Sequence, residues 1–133
     1  MPKIKQITAW VESKPGIIGS IAKALGDAKI NITAFGGYKN PAGGESPVGF
    51  QVSSPDKAKK ILTGLGIRFT EEEVLRLTIP DKPGILGEIG TRLGQANIDI
   101  EWAYASNTKG SKKSDLVLKV SDLAAAAKAL RSL

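Results

Sequence analysis

Two short segments hold the residues best suited to engage a ligand: Lys14-Pro15-Gly16-Ile17-Ile18-Gly19 and, sixty-eight residues later, Lys82-Pro83-Gly84-Ile85-Leu86-Gly87. In each, a Pro-Gly step precedes aliphatic residues at helical spacing, so each reads as a loop entering a helix. The first amides of a helix have no carbonyl within it to receive them and lie at its positive end, where they suit a carboxylate or another anion. Glycine at 16 and 84 lets the backbone approach such a group closely, at a helix cost of about 1 kcal/mol relative to alanine. Covalent and metal chemistry is poorly served. The 133 residues include no cysteine and no histidine, which removes disulfides, thiolate and imidazole ligands, the commonest nucleophiles and the usual neutral-pH base. The carboxylates and lysines form no recognisable catalytic constellation. The glycine pairs Gly36-Gly37 and Gly43-Gly44 carry no Walker or dinucleotide spacing. The expectation is a binding protein, not an enzyme, without metal or cofactor.

The elements around these segments also repeat. At the same offset, Ile21, Leu25, Gly26, Ala28, Ile30 and Ile32 meet the identical Ile89, Leu93, Gly94, Ala96, Ile98 and Ile100 without a gap. Upstream, Ile7, Ala9 and Val11 meet Leu75, Leu77 and Ile79, alternating with polar or bulky neighbours as half-buried strands do. After each Pro-Gly the apolar period changes to 3.6, predicting amphipathic helices that start at Pro15 and Pro83, where proline's missing N–H is harmless. Second strands follow. Ile30, Ile32 and Ala34 interleave with Asn31, Thr33 and Phe35, while Ile98, Ile100, Trp102 and Tyr104 interleave with Asp99, Glu101 and Ala103. Third strands carry Val48, Phe50 and Val52, and Leu116, Leu118 and Val120. Ser54 and Ser121 read as acceptors at the starts of second helices.

A fourth strand, Ile67 to about Glu73, closes the first copy and runs almost directly into the second. The expected fold is therefore α+β: two ferredoxin-like βαββαβ repeats, at 1–73 and 74–133, with antiparallel sheets and helices on one face. The second repeat lacks its last strand, which predicts an open edge at Val74 to Ile79. Trp10 alternates out of phase with the core residues and is expected on the sheet face away from the helices, joined by Phe35. A covered edge and a covered apolar face together call for a homodimer.

The strand, the basic residue before Pro-Gly, the two aliphatics, the helix and the Ile30-Asn31-Ile32 opening of the next strand resemble the ACT domain, a regulatory amino-acid-binding module, here occurring twice. The resemblance covers essentially the whole chain. It implies allosteric sensing of a free amino acid without catalysis, with the effector between the first loop of one ACT unit and the second strand of its neighbour. On that pattern the ligand-binding positions are Ser13, Pro15, Gly16, Ile17 and Ile18 with Asn31, and Asp81, Pro83, Gly84, Ile85 and Leu86 with Asp99. Asp81, with Asn31 supplying an amide oxygen, suits the ammonium of such a ligand, and the helix-start amides suit its carboxylate. Plainer readings stand beside these: turn chemistry for Pro-Gly, a cap for Asp81, and solvated strand positions for Asn31 and Asp99.

Composition narrows the partners. The net charge is +6, yet residues 1–73 hold ten basic and seven acidic groups and residues 74–133 hold nine and six, so no basic arm exists. An RNA-binding ferredoxin-like module, the rival with the same element order, would need stacking aromatics that the third strands lack. No nucleic acid is expected. No apolar run approaches the roughly 20 residues that cross a bilayer, and Met1-Pro2-Lys3-Ile4-Lys5 is no signal peptide, so the expectation is a cytoplasmic protein without a membrane partner. A regulatory subunit docked on an amino-acid biosynthetic enzyme is the alternative to a free sensor.

Overall fold

In the computed structural model residues 3–133 are described. They form β1 (Lys3–Glu12), α1 (Ile17–Asp27), β2 (Ile32–Gly37), β3 (Glu45–Val52), α2 (Pro55–Gly64), β4 (Arg68–Pro80), α3 (Ile85–Gln95), β5 (Ile100–Asn107), β6 (Lys113–Val120) and α4 (Leu123–Ala129). The order is the βαββαβ order of ferredoxin-like repeats, and no helix among the described residues is long and apolar enough to cross a membrane. Two units divide the chain. One is Lys5–Glu72; the other joins the start of β1, through Ile4, to Glu73–Leu133. β4 is a single strand of 13 residues that ends the first unit and begins the second.

In the first unit the strand order is β2-β3-β1-β4. β1 and β3 pair antiparallel with Ile7 opposite Phe50, Ala9 opposite Val48 and Val11 opposite Ser46. Period-2 alternation sends these side chains to one face, where they meet Ile21 and Leu25 of α1 and Leu62 of α2 in one buried cluster. In the second unit the order is β4-β6-β5, Leu75 faces Leu118 and Leu77 faces Leu116. Ile89, Leu93 and Leu130 complete that core. Where the sequence predicts a bare edge at Val74 to Ile79, β1 is the strand next to β4, and its first residues, Lys3 and Ile4, belong to the second unit.

Both second strands contain a register shift at the same repeat position, between Ile32 and Ala34 and between Ile100 and Trp102. An extra residue reverses the faces of all that follow. Phe35 therefore does not join Trp10: it lies opposite Phe50 and stacks on it at 6.3 Å, on the helix-covered face. In β5 the shift separates Ile100, opposite Val120, from Trp102 and Tyr104, which pack together at 5.9 Å.

Trp10 itself lies opposite Pro47, out of phase with Ala9 and Val11 as expected. Arg68, of the same unit, places its guanidinium 5.4 Å from the ring centroid. On the same face Gln6 and Thr8 are buried and hydrogen-bonded, Gln6 Nε2 donating to Thr8 Oγ1 at 3.2 Å. On the helix-facing side, Glu71 of β4 meets Lys59 of α2 at 2.8 Å and Lys5 of β1 at 3.5 Å. The hydrogen bond with Lys59, more than any charge effect, lowers the Glu71 carboxyl below its ordinary range and raises the Lys59 ammonium above its own.

The ends of the helices also repeat. After α1 and α3 the amides of Ile30 and Ile98 donate to Leu25 and Leu93 carbonyls at 3.0 and 2.9 Å, and Lys29 and Asn97 take left-handed φ of 63° and 57°, the Schellman pattern. Ser54 and Ser121 do not cap as expected. Ser54 makes no side-chain cap bond, and at α4 the cap is Asp122, whose Oδ1 accepts the Ala125 amide at 3.0 Å.

Candidate ligand-binding site

Each Pro-Gly step is a type II turn feeding a helix. Gly16 has φ 86° and ψ −4°, Gly84 has φ 89° and ψ −8°. The Ile17 and Ile85 amides donate back to the Lys14 and Lys82 carbonyls at 3.2 and 3.4 Å. Proline presets the first central residue of such a turn, and the second needs a positive φ that glycine adopts without steric cost. α1 and α3 therefore begin at Ile17 and Ile85, two residues later than a proline-first helix would, with glycine at the N-cap. A methyl group added at either glycine would meet nothing within 4 Å, so backbone conformation and not crowding requires them. With the Ile17 and Ile85 amides engaged in the turns, those of Ile18, Gly19, Leu86 and Gly87 have no carbonyl inside their helix to receive them.

A pocket lies against each turn, inside its own unit. The first is a cavity of about 200 Å³ between Ser13, Ile17 and Ile18 on one side and Phe35, Tyr38 and Lys39 on the other. Val11, Ser46 and Val48 complete it. The second, of about 320 Å³, lies between Asp81, Gly84 and Leu86 and the residues Ala105, Ser106 and Asn107. The two are the same place in the repeat: the offset of sixty-eight carries Ser13 to Asp81, Ile18 to Leu86, Lys39 to Asn107 and Ser46 to Ser114. Large apolar side chains stand exposed at both mouths, Phe35 by 56%, Tyr38 by 60% and Leu86 by 61%. Such surface gains from an apolar ligand.

Their polar groups differ. In the second pocket Asn107 Nδ2 donates to Asp81 Oδ2 at 3.0 Å, and the Asp81 amide is held by the Lys112 carbonyl at 2.8 Å, which orients a carboxylate. In the first, Ser13 replaces that carboxylate, and the Ser46 hydroxyl oxygen accepts the Asn40 amide at 2.9 Å.

Of the residues singled out in the sequence, Ser13, Ile17 and Ile18 line the first pocket and Asp81, Gly84, Ile85 and Leu86 the second. Pro15, Gly16 and Pro83 belong to the turns. Asn31 and Asp99 line neither pocket. They precede the far ends of β2 and β5, where their amides donate to Ser53 and Ser121 Oγ at 2.9 and 3.0 Å. Sequence reasoning missed Phe35, Gly37, Tyr38 and Lys39 in the first pocket and, in the second, Ala105, Ser106 and Asn107, the counterparts of Gly37, Tyr38 and Lys39. The available signal was the offset itself, which continues through the hairpin loop without a gap and pairs Lys39 with Asn107 and Ser46 with Ser114.

No protein-family model matches the chain, and no curated protein matches it in sequence. Solved structures do match its fold. A crystal structure of a protein from Bacteroides thetaiotaomicron has a TM-score of 0.86 at 24% identity, over 97% of this chain and 87% of that one. The ligand-free regulatory subunit of aspartate kinase from Thermus thermophilus has a TM-score of 0.71 at 14% identity, over 98% and 91%. The fold is the tandem ACT fold. Aspartate kinase from Synechocystis matches with 24% of its length, at a TM-score of 0.64 and 22% identity over 98% of this chain. Each of the two units thus carries a Pro-Gly turn with a pocket against it.

Proposed function

We propose that the chain is a non-catalytic regulatory module of amino-acid metabolism that binds a free amino acid at its Pro-Gly turns. The observation that carries this is the pair of repeat-equivalent pockets, each placed where helix-start amides meet a small cavity with exposed apolar walls. The second pocket offers both halves of what an amino acid needs, amides for the carboxylate and the Asn107-oriented Asp81 for the ammonium. In this reading Asn31 and Asp99 act from another ACT unit, as the resemblance implies. β2 and β5, the last strands of their units' orders, are the edges on which a homodimer would form.

In this proposal the regulation passes to a partner. Two of the matching structures bear the names of an aspartate kinase regulatory subunit and of an aspartate kinase, which favours docking on an amino-acid biosynthetic enzyme as the second form of the same role. A thermal-shift screen against all amino acids tests the core of it. A ligand at a hundred times its dissociation constant stabilises by about 2.7 kcal/mol, a rise of several degrees for a chain of this size. No rise with any amino acid, in protein shown to be folded, would refute the reading.

A further inference from the structure

We propose that the first pocket takes a monocarboxylate with a large apolar body, such as the 2-oxo acid of a branched-chain or aromatic skeleton, and does not require the ammonium group that the second pocket is equipped to receive. This rests on the reading above and assigns the two sites different ligand classes.

The argument is one of charge and walls. Among the described residues, Lys39 is the only charged one lining the first pocket, whereas Asp81 and Lys82 both line the second. The polar side chains that line the first are the Lys39 ammonium and the hydroxyls of Ser13, Tyr38 and Ser46, the last's oxygen already accepting from Asn40; each can donate, and none is a carboxylate. Those donors suit a carboxylate and an adjacent carbonyl oxygen. An ammonium entering the same space gives up water and finds no carboxylate. Around the donors stand Ile17, Ile18, Phe35, Tyr38, Val11 and Val48, a wall that suits a branched or aromatic chain. In the second pocket Ala105 and Ser106 occupy the positions of Gly37 and Tyr38, and Asn107 that of Lys39. There the aromatic wall is gone and the acceptor is present.

The test is calorimetric titration of the full chain with leucine, phenylalanine, the leucine-derived 2-oxo acid and phenylpyruvate, on the native protein and on Lys39→Gln and Asp81→Asn. The expected result is that a 2-oxo acid binds at least as tightly as its parent amino acid. Lys39→Gln should weaken that binding by about tenfold or more, the loss of a charge-assisted contact, with Lys39→Arg restoring most of it. Asp81→Asn should leave it unchanged. Equal melting temperatures without ligand show that the variants fold. A 2-oxo acid binding tenfold or more weaker than its amino acid, or binding insensitive to Lys39→Gln, overturns the proposal. Amino acids binding while neither 2-oxo acid binds removes this proposal and leaves the sensor reading standing. A 2-oxo acid binding while no amino acid does removes the sensor reading and leaves this one.

Discussion

The pockets at Pro15-Gly16 and Pro83-Gly84 share a backbone and differ in what that backbone presents. Both turns have glycine at a left-handed φ, 86° and 89°, helices starting one residue later, and buried Ile21 and Leu25 or Ile89 and Leu93 anchoring the helix to its sheet. Yet one pocket has Ser13 and Lys39 where the other has Asp81 and Asn107. The lesson is that the scaffold part of the repeat is held by packing and dihedral requirements that both copies must meet. The side chains on its loops answer to no such requirement and are free to diverge in ligand chemistry.

The sharpest way to break the comparison is at the glycines. Gly16→Val and Gly84→Val each force a β-branched residue into the left-handed region, and each should cost about 2 kcal/mol of stability, read as equal shifts in denaturant midpoint. Unequal shifts would show that the turns are not the same device. Next comes the polar difference. Asp81→Ala should weaken amino-acid binding at the second pocket by about 1.5 kcal/mol, while Ser13→Ala at the first should change it by less than half of that. Titration calorimetry reads both, and an equal loss would mean that the two pockets recognise the ammonium alike.

A smaller effect lies at the helix ends, where Lys29 takes the left-handed conformation that Asn97 takes in the second unit. Lys29→Asn should stabilise the protein by about 0.5 kcal/mol, because asparagine enters that region more readily. A lower melting temperature would contradict this. The smallest effect is electrostatic and belongs to the first unit alone. Glu71 titrates below its ordinary 4.5, so its stabilising pairing with Lys59 is fully present above that pH and is lost as pH falls through the lowered folded value. Lys59 titrates above its ordinary 10.5, so its share is present below that pH and lost as pH rises through the raised folded value. Comparing Glu71→Gln with the native chain should show a stability difference near neutral pH that shrinks in acid and in high salt. A difference independent of pH would rule the pair out as its source.

The repeat, the element order and the two turns were legible in the residues because each has a local cause. Helical spacing of Ile17, Ile21 and Leu25, alternation of Ile7, Ala9 and Val11, and the dihedral demands of Pro-Gly act within a few residues of chain. The register shifts in β2 and β5 were not legible. Period-2 alternation reads the same up to the shifted residue, and only the pairing with β3 and β6 reveals that Thr33 and Glu101 are extra. That one-residue insertion decided which face Phe35 takes, and with it the wall of the first pocket.

What the sequence by itself determined is which residues must be buried, where the chain must turn, and that both happen twice, since burial and φ preferences are properties of residue type and spacing. Tertiary structure alone decided that the Arg68 guanidinium lies over the Trp10 ring, that Lys3 and Ile4 join the second unit, and that Lys39 and Asn107 come to stand against Pro-Gly turns more than twenty residues away. Those outcomes depend on strand register and on which strand lies beside which, and a pairing between distant segments leaves no period within either one.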